Sequence, residues 1–536
     1  MISKKNYDVK LLDELHDVIK TKFGFNLIFT EKAMNQGYTT EQIQASQKPI
    51  SEQVEFLVDE GVFNDLEAAR LVFKLYPHWV CCHSELYVFD DKTGLWSNEE
   101  QAHMQIISKF DKYLYLMMPT KDGDCKKGTK GYGNSTTLQR QMIPQLKILC
   151  INNDWLKDSE NTSLKKLLFL DGYLDLVTGI FFEIYNPKIV FMNRIQQRYQ
   201  NKSVDESYIE DLKQRLFNNP LGSEVGNYFL LSIARGLAGD VMKKIVFGLG
   251  GTNGGKSTIT KACVNSFGEY VSSFNAENLS YNKSSTDEAA KLRWAMLLRF
   301  KRLIFSNEIK NTVELNGNDI KKISSGGDTL IGRIHGGLEC QFTPHFLAIV
   351  LANDIPKITP YDDAVNNRIN VVSFSKQFVD EPSNEFELKK DENLEEEMRT
   401  DKFRYHFMKL VINRYLQYIR EGKKDIVPLE ITNAKVEWIG DDTDFNIISK
   451  FEETFEITNN PLHYIESGDI QIWLDAQKVG ISFKKFSVEF KKYCIVKKFI
   501  SVESKNKKIN GRVAKVWTGV SNISTEENAN TLGVQH

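Results

Sequence analysis

The 536-residue chain has no long hydrophobic run. The longest, Phe346 to Ala352, is seven residues, far short of the roughly 20 that a membrane-spanning helix needs. The N-terminal stretch MISKKNYDVK is charged and carries no apolar signal segment. Both absences lead to the expectation of a soluble, intracellular protein with no membrane partner. Cysteine is scarce, seven residues without regular spacing, which argues against a disulfide scaffold and for a reducing compartment. Charge of one sign is missing too: 69 Lys and Arg stand against 71 Asp and Glu. The overall balance therefore announces no nucleic-acid partner, and local charge must be read instead. Metal ligands are few. The cluster His78, Cys81, Cys82 and His83 lacks the two-residue gap with which paired thiolates close on one ion, so buried thiols in an apolar strand are the better reading.

What is present centres on KIVFGLGGTNGGKSTITKACVNSF, Lys244 to Phe267. Ile245 to Leu249 is a short branched apolar run that reads as a buried strand, and Ile259, Ala262, Cys263 and Phe267 recur at helical spacing. Between them Gly250, Gly251, Thr252, Asn253, Gly254, Gly255, Lys256, Ser257 and Thr258 contain G-x-x-x-x-G-K-[ST]. A strand, a glycine loop and a helix in that order form a phosphate cradle. The glycines admit backbone amides to the phosphate, the helix start is positive, Lys256 reaches the β/γ oxygens and Ser257 can hold Mg²⁺. The expected ligands are ATP and Mg²⁺.

The residues that follow each carry a plain and a functional reading. LRFKRLIFSNEI, Leu298 to Ile309, reads as an apolar strand ending in Glu308. Beside a phosphate loop such a carboxylate orients water and helps place Mg²⁺. Asn318 to Ser325 reads as a helix carrying Lys321 and Lys322; Thr329 to His335 and Leu338 to Phe342 read as a hairpin with Arg333 and His335 near its tip. Phe346 to Ala352 is an apolar strand that ends in Asn353-Asp354; the amide there is either a turn residue or a γ-phosphate sensor. Arg368 precedes another apolar strand and is either a surface cation or an arginine finger for a neighbouring subunit's nucleotide.

The flanks are less specific. Residues 1 to about 75 read as helices, and 78 to 200 as short strands around turns such as Asp91-Lys92-Thr93-Gly94. PTKDGDCKKGTKGYGNSTT, 119–137, reads as a mobile loop whose four lysines can alternatively touch a phosphate backbone. Gly222 to Ala238 reads as an amphipathic helix, 380–400 as a solvated acidic connection, and KFRYHFMKLVINRYLQYIR as a helix closing the nucleotide lid. From 484 to 515 there are eleven Lys and Arg against two acids. Helices there precede two expected strands, FISVES and RVAKVWTGV, joined by KNKKIN, an order resembling a winged helix. The tail from Ser521 is polar and expected to be disordered.

In family order, GGTNGGKST, KRLIFSNE, KKISSGGD through GRIHGG, VLAND and NNRINVVSF resemble the superfamily 3 helicases, most closely the poxvirus-type primase-helicases of large DNA viruses, phages and mobile elements. LYVFDDKTGLW and FLDGYLDLVTG look like that family's helicase-associated domain. The resemblance covers roughly 80–520 and is tightest over 244–376. It implies an α/β P-loop ATPase core of AAA+ type in a ring, usually a hexamer. Lys256, Ser257, Glu308 and Asn353 would come from one subunit and Arg368 from the next, with Ser257 and Glu308 on the metal. Lys321, Lys322, Arg333 and His335 would grip DNA in the channel. The implied domains are a helical region 1–75, an α+β helicase-associated domain 76–215, the ATPase 216–420, a winged-helix-like basic domain 421–520 and a tail 521–536. Asn307-Glu308 departs from the family's frequent pair of adjacent acids. Only about 75 residues precede the strand-rich region, too few for a primase module, so priming is expected from a separate primase or polymerase. The implied activity is ATP-dependent unwinding, with single-stranded and forked DNA as partners. An origin-binding or DNA-packaging ATPase that does not unwind is the alternative.

Overall fold

The computed structural model describes residues 61–200, 203–281, 292–307, 309, 313–333, 339–353, 356–440, 444–476, 483–497, 499–509 and 511–522. Most of the helices expected before residue 75, together with Glu308, His335, Asp354 and the tail beyond 522, lie outside the described residues. The chain divides into two units, 1–428 and 429–536.

The first unit opens with helix α1 (Asp65–Leu75), whose Asn64 cap accepts from the Glu67 amide. Three antiparallel strands follow, β1 (Trp79–Cys82), β2 (Glu85–Asp90) and β3 (Leu95–Ser97). Adjacent strand residues face opposite ways, so Cys81 and Cys82 diverge. Cys82 donates its thiol to the Asn153 carbonyl, and burial raises its pKa. Helix α2 (Glu100–Ser108) and helix α3 (Thr136–Leu149) flank a hairpin of β4 (Tyr115–Pro119) and β5 (Cys125–Gly131). This hairpin occupies most of the stretch read from sequence as a loop. Its second strand, CKKGTKG, is built mostly of lysine and glycine and so has no apolar alternation to announce it. A second meander, β6 (Lys166–Phe169), β7 (Gly172–Asp175) and β8 (Ile180–Phe182), completes the strand-rich part.

Behind it lies a parallel sheet. Its strands are β9 (Ile245–Leu249), β10 (Val271–Ser273), β11 (Leu303–Asn307), β14 (Leu347–Ala352) and β15 (Ile369–Ser373). The antiparallel pair β12 (Leu330–Arg333) and β13 (Glu339–Phe342) sits outside it. The sheet order is β10-β11-β14-β9-β15, all parallel. Parallel strands need both faces covered, which explains the unbroken apolar runs. Helix α5 (Ser223–Ala238) is buried on nearly every side rather than on one face: Gly236 stands against Leu303 and Leu347, and Phe229 against Phe374. The amphipathic expectation fails because further helices cover its outer side. One is α8 (Asp401–Arg420), which buries Phe403, Phe407, Leu410, Val411, Tyr415 and Tyr418 and packs on α5. Another is α4 (Glu206–Lys213), continued by a π-turn, Gln214–Asn218.

The acidic stretch after the sheet is structured. Strands β16 (Gln377–Val379) and β17 (Glu387–Lys389) pair, Glu397 takes both ends of the Arg215 guanidinium at 2.8 and 2.9 Å, and Glu395 pairs with Lys261. The strand-rich part joins the parallel sheet through a buried polar seam. The Leu168 amide donates to the Tyr270 hydroxyl (3.0 Å), Asn193 to the Phe300 carbonyl (2.8 Å), and fully buried Arg302 to Ser163.

His345 lies near that seam, with neither ring nitrogen hydrogen-bonded. Burial first and the Arg302 charge second push its pKa down to about 4. The unfolded state therefore binds more protons between the ordinary histidine value and about 4, so this contribution is intact at neutral pH and lost as pH falls. From pH 7 to pH 5 the expected loss from this group is about 2 kcal/mol. Urea unfolding at both pH values checks it, and His345→Leu should flatten the difference; an unchanged slope would refute the assignment.

After a first helix, Leu429–Gly440, the longer elements of the second unit are α9 (Asp444–Thr454), β18 (Tyr464–Glu466), α10 (Ser467–Ala476), α11 (Phe483–Val496), β19 (Ser504–Ile509) and β20 (Arg512–Thr518). Its three-stranded sheet has the order β18-β20-β19 around a core of Phe451, Phe486, Phe490 and Trp517. The expected connector KNKKIN is mostly the strand β19 itself, and FISVES contributes only its last residue. Alternation of lysine with polar residues hides that strand from an apolar pattern.

Candidate nucleotide site

The site is built at the carboxyl end of β9. The apolar sequence of β9 keeps it in the sheet interior, and the chain must then leave through a space already occupied by the turn after β15. Gly250 has φ +155°, and a Cβ there would collide with the Phe374 carbonyl; only glycine passes. The loop then reaches Asn253 (φ +61°) and Gly255, the N-cap of α6 (Lys256–Phe267). No side chain caps the first amides of α6, so they are available to an anion.

Lys256 curls back into the loop. Its ammonium donates to the carbonyls of Gly250 and Gly251 (2.8 Å) and to Asn353 Oδ1 (3.1 Å). Partial burial lowers its pKa. Asn353 arrives there by register: Ala352 of β14 pairs with Leu249 of β9, so the residues after each strand meet. Ser257 is exposed on the first turn of α6. The cradle thus holds the Lys256 cation against carbonyl oxygens at the start of a helix whose N-cap, Gly255, has no side chain. Chemically that fits a phosphate chain, which would take the cation from the carbonyls.

Other residues picked from sequence lie elsewhere. Arg368 precedes Ile369, which pairs with Ile245 at the amino end of β9. It is therefore on the order of 15 Å along the strands from its own glycine loop. Its guanidinium donates to the Ala364 carbonyl (2.9 Å). Lys321, on helix α7 (Gly317–Ile323), pairs with Asp362 at 2.9 Å, and Lys322 is also engaged. Arg333 ends β12, and His335 lies outside the described residues, as does Glu308 beyond Asn307. Among the described residues, no group of three or more His, Cys, Asp or Glu is placed to hold a metal.

Sequence reasoning missed the wall behind the loop. The Phe374 amide donates to the Leu249 carbonyl and the Phe378 amide to the Asn253 carbonyl (2.9 Å), while the Phe378 ring stands 3.0 Å from where a Gly255 Cβ would be. The aromatic pair in SFSKQF, directly after β15, is the only sequence signal for it.

No protein-family model matches the chain. It is similar to the Sputnik virophage protein named "Putative helicase V13", 31% identical over 493 residues, 89% of this chain and 61% of that protein. It is also similar to "Putative helicase L207/L206" of Acanthamoeba polyphaga mimivirus, 23% identical over 57% of this chain and 32% of that protein. A third relative is "Primase D5" of Fowlpox virus, 24% identical over 48% of this chain and 34% of that protein. The chain has viral relatives named as helicases and a primase, and spans about three fifths of the first and a third of the other two. Among solved structures, the apo form of the NrS-1 C-terminal region matches over 85% of this chain and 99% of that one, with 12% identity and a TM-score of 0.40. No helix among the described residues is long and apolar enough to cross a membrane.

Proposed function

We propose that this chain is an ATP-driven, ring-forming DNA helicase acting in the replication of a virus or mobile element. The observation that carries the reading is the Lys256 ammonium held on loop carbonyls and Asn353 at the mouth of a glycine loop. Numbered by chain position, the sheet order is 2-3-4-1-5. The first strand is thus flanked by strands reached from opposite directions, the switch point where open α/β sheets bind ligands. This agrees with a P-loop core of AAA+ type. From Asp444, leaving aside two-residue strands, the order helix, strand, helix, helix, strand, strand agrees with a winged helix. The virophage and mimivirus relatives, named as helicases, support the same class of activity.

In this reading Gly250 to Thr258 bind the triphosphate, Lys256 neutralises its β/γ oxygens, Glu308 orients the attacking water and Asn353 senses the γ-phosphate. Ser257 and Glu308 would hold Mg²⁺, which when bound supplies further charge neutralisation on the phosphates. Arg368, at the opposite end of the strands from its own loop, suits a neighbouring subunit's site in a hexamer. Lys321, Lys322, Arg333 and His335 would face DNA, with Lys321 first leaving Asp362. Priming falls to a separate primase or polymerase.

The test is unwinding of forked DNA with and without ATP, with assembly followed by mass photometry. Wild type should unwind. Arg368→Ala should assemble yet lose at least a hundredfold in rate, since a transition-state arginine supplied in trans is worth about 10³–10⁵. Hydrolysis by wild type without strand separation under any loading condition would leave the origin-binding or packaging reading.

A further inference from the structure

The hairpin β4–β5 carries a cluster of cations that the nucleotide site does not use. Lys121, Lys126, Lys127 and Lys130 are all exposed, and none makes an ion pair with a described residue. Four lysines face two acids, Asp122 and Asp124, between Thr120 and Gly131. By contrast, two of the cations in the second unit's basic hairpin are ion-paired: Arg512 with both oxygens of Glu466 and Lys505 with Glu503. The first hairpin is therefore the less neutralised of the two.

Its geometry distributes the charge on both sides of a ribbon. Met118 pairs with Lys126 and Met117 with Lys127; neighbouring pairs face opposite ways. Lys127 lies over the Tyr115 ring at 4.0 Å, while Lys126 shares its face with Met118, itself 48% exposed. A register shift between Tyr115 and Met117 leaves 128–130 as a bulge on β5. Gly128 approaches there so closely that a Cβ would lie 2.8 Å from the Leu116 carbonyl. Bulges bend a strand and re-aim its side chains. The base of the ribbon is fixed, with the Val62 amide donating to the Tyr115 carbonyl and the Met117 amide to the Val62 carbonyl.

A single nucleic-acid strand would meet cations on one face only. Cations on both faces, and at the turn, match a groove walled by two phosphate backbones, and the major groove admits a two-stranded β-ribbon. We propose that β4–β5 is a duplex-DNA contact that grips phosphates on both walls of a groove without reading sequence. The inference rests on the DNA-acting reading above and adds a site to it. An acidic protein surface, such as another copy's 380–397 segment, is the competing partner.

The test uses the full chain. Cys125 is the only exposed thiol among the described cysteines whose side chains are placed, so a photo-crosslinker attached there, in a Cys340→Ser background, reports what the ribbon touches. Capture of duplex DNA is expected; capture of a second copy, or of single-stranded DNA in preference to duplex, overturns the proposal. In parallel, Lys126→Gln/Lys127→Gln should weaken duplex binding about tenfold and lower the slope of log affinity against log salt by about 1.8, as two lost phosphate contacts require. Thermal unfolding verifies that the variant folds. Equal affinity and slope for variant and wild type would refute the ribbon while leaving the helicase reading standing. Failure of wild type to bind any duplex would remove the ribbon, and failure to bind single-stranded or forked DNA as well would remove both.

Discussion

Lys256→Ala is expected to abolish nucleotide-dependent activity, lowering the hydrolysis rate by about 10²–10³, the usual cost of removing one preorganised group that stabilises transition-state charge. The physical argument is local. The ammonium is already desolvated enough for its pKa to fall, and it rests on the Gly250 and Gly251 carbonyls and Asn353. A phosphate chain entering the loop exchanges those neutral partners for charged oxygens, which bind a cation about twice as strongly. Lys256→Arg should rescue little, because a planar guanidinium cannot occupy a cradle shaped for a compact point charge. Phosphate release assays decide this, and wild-type rates from Lys256→Ala would sink the whole site assignment.

The second large effect is on stability. Phe247 is fully buried in β9, where it pairs with Val350 of β14 and Val371 of β15. Phe247→Ala removes a ring from the centre of the sheet and should cost about 3–5 kcal/mol, a large share of the roughly 5–15 kcal/mol that holds a domain. Because β9 also carries the glycine loop, nucleotide affinity should fall with it. Urea unfolding read at far-UV wavelengths measures the first and nucleotide titration the second. A loss below 1 kcal/mol would mean that the sheet centre collapses around the void.

Some of this was legible in the chain itself. Strands β9 and β14 are apolar runs, and β11 and β15 are mostly apolar, because parallel strands are covered on both faces, and that burial leaves its mark on the sequence. The glycine loop was equally clear, since Gly250 needs a backbone conformation and a clearance that side chains forbid. By contrast β5 and β19, rich in lysine, carry no apolar alternation, and the sequence reading made one a loop and the other a connector. The 380–397 stretch looked solvated because its carboxylates meet Arg215 and Lys261 only across about 180 and 134 residues of chain.

The candidate site divides the same way. Lys256 and Ser257 belong to one continuous segment, so spacing alone predicts their neighbourhood. Asn353 reaches Lys256 through the pairing of β14 with β9, and Arg368 is carried to the far end of that sheet by the pairing of β15 with the same strand. Phe374 and Phe378 back the loop through two hydrogen bonds that their amides donate to the Leu249 and Asn253 carbonyls, which no local pattern encodes. The amino-acid sequence by itself determined which segments must be buried strands and where a glycine loop must turn, because these follow from burial and backbone sterics within a few residues. Only the tertiary structure decided which distant amide and aromatic residues stand beside that loop and which arginine stands away from it, because strand order and register are settled by packing between segments far apart in the chain.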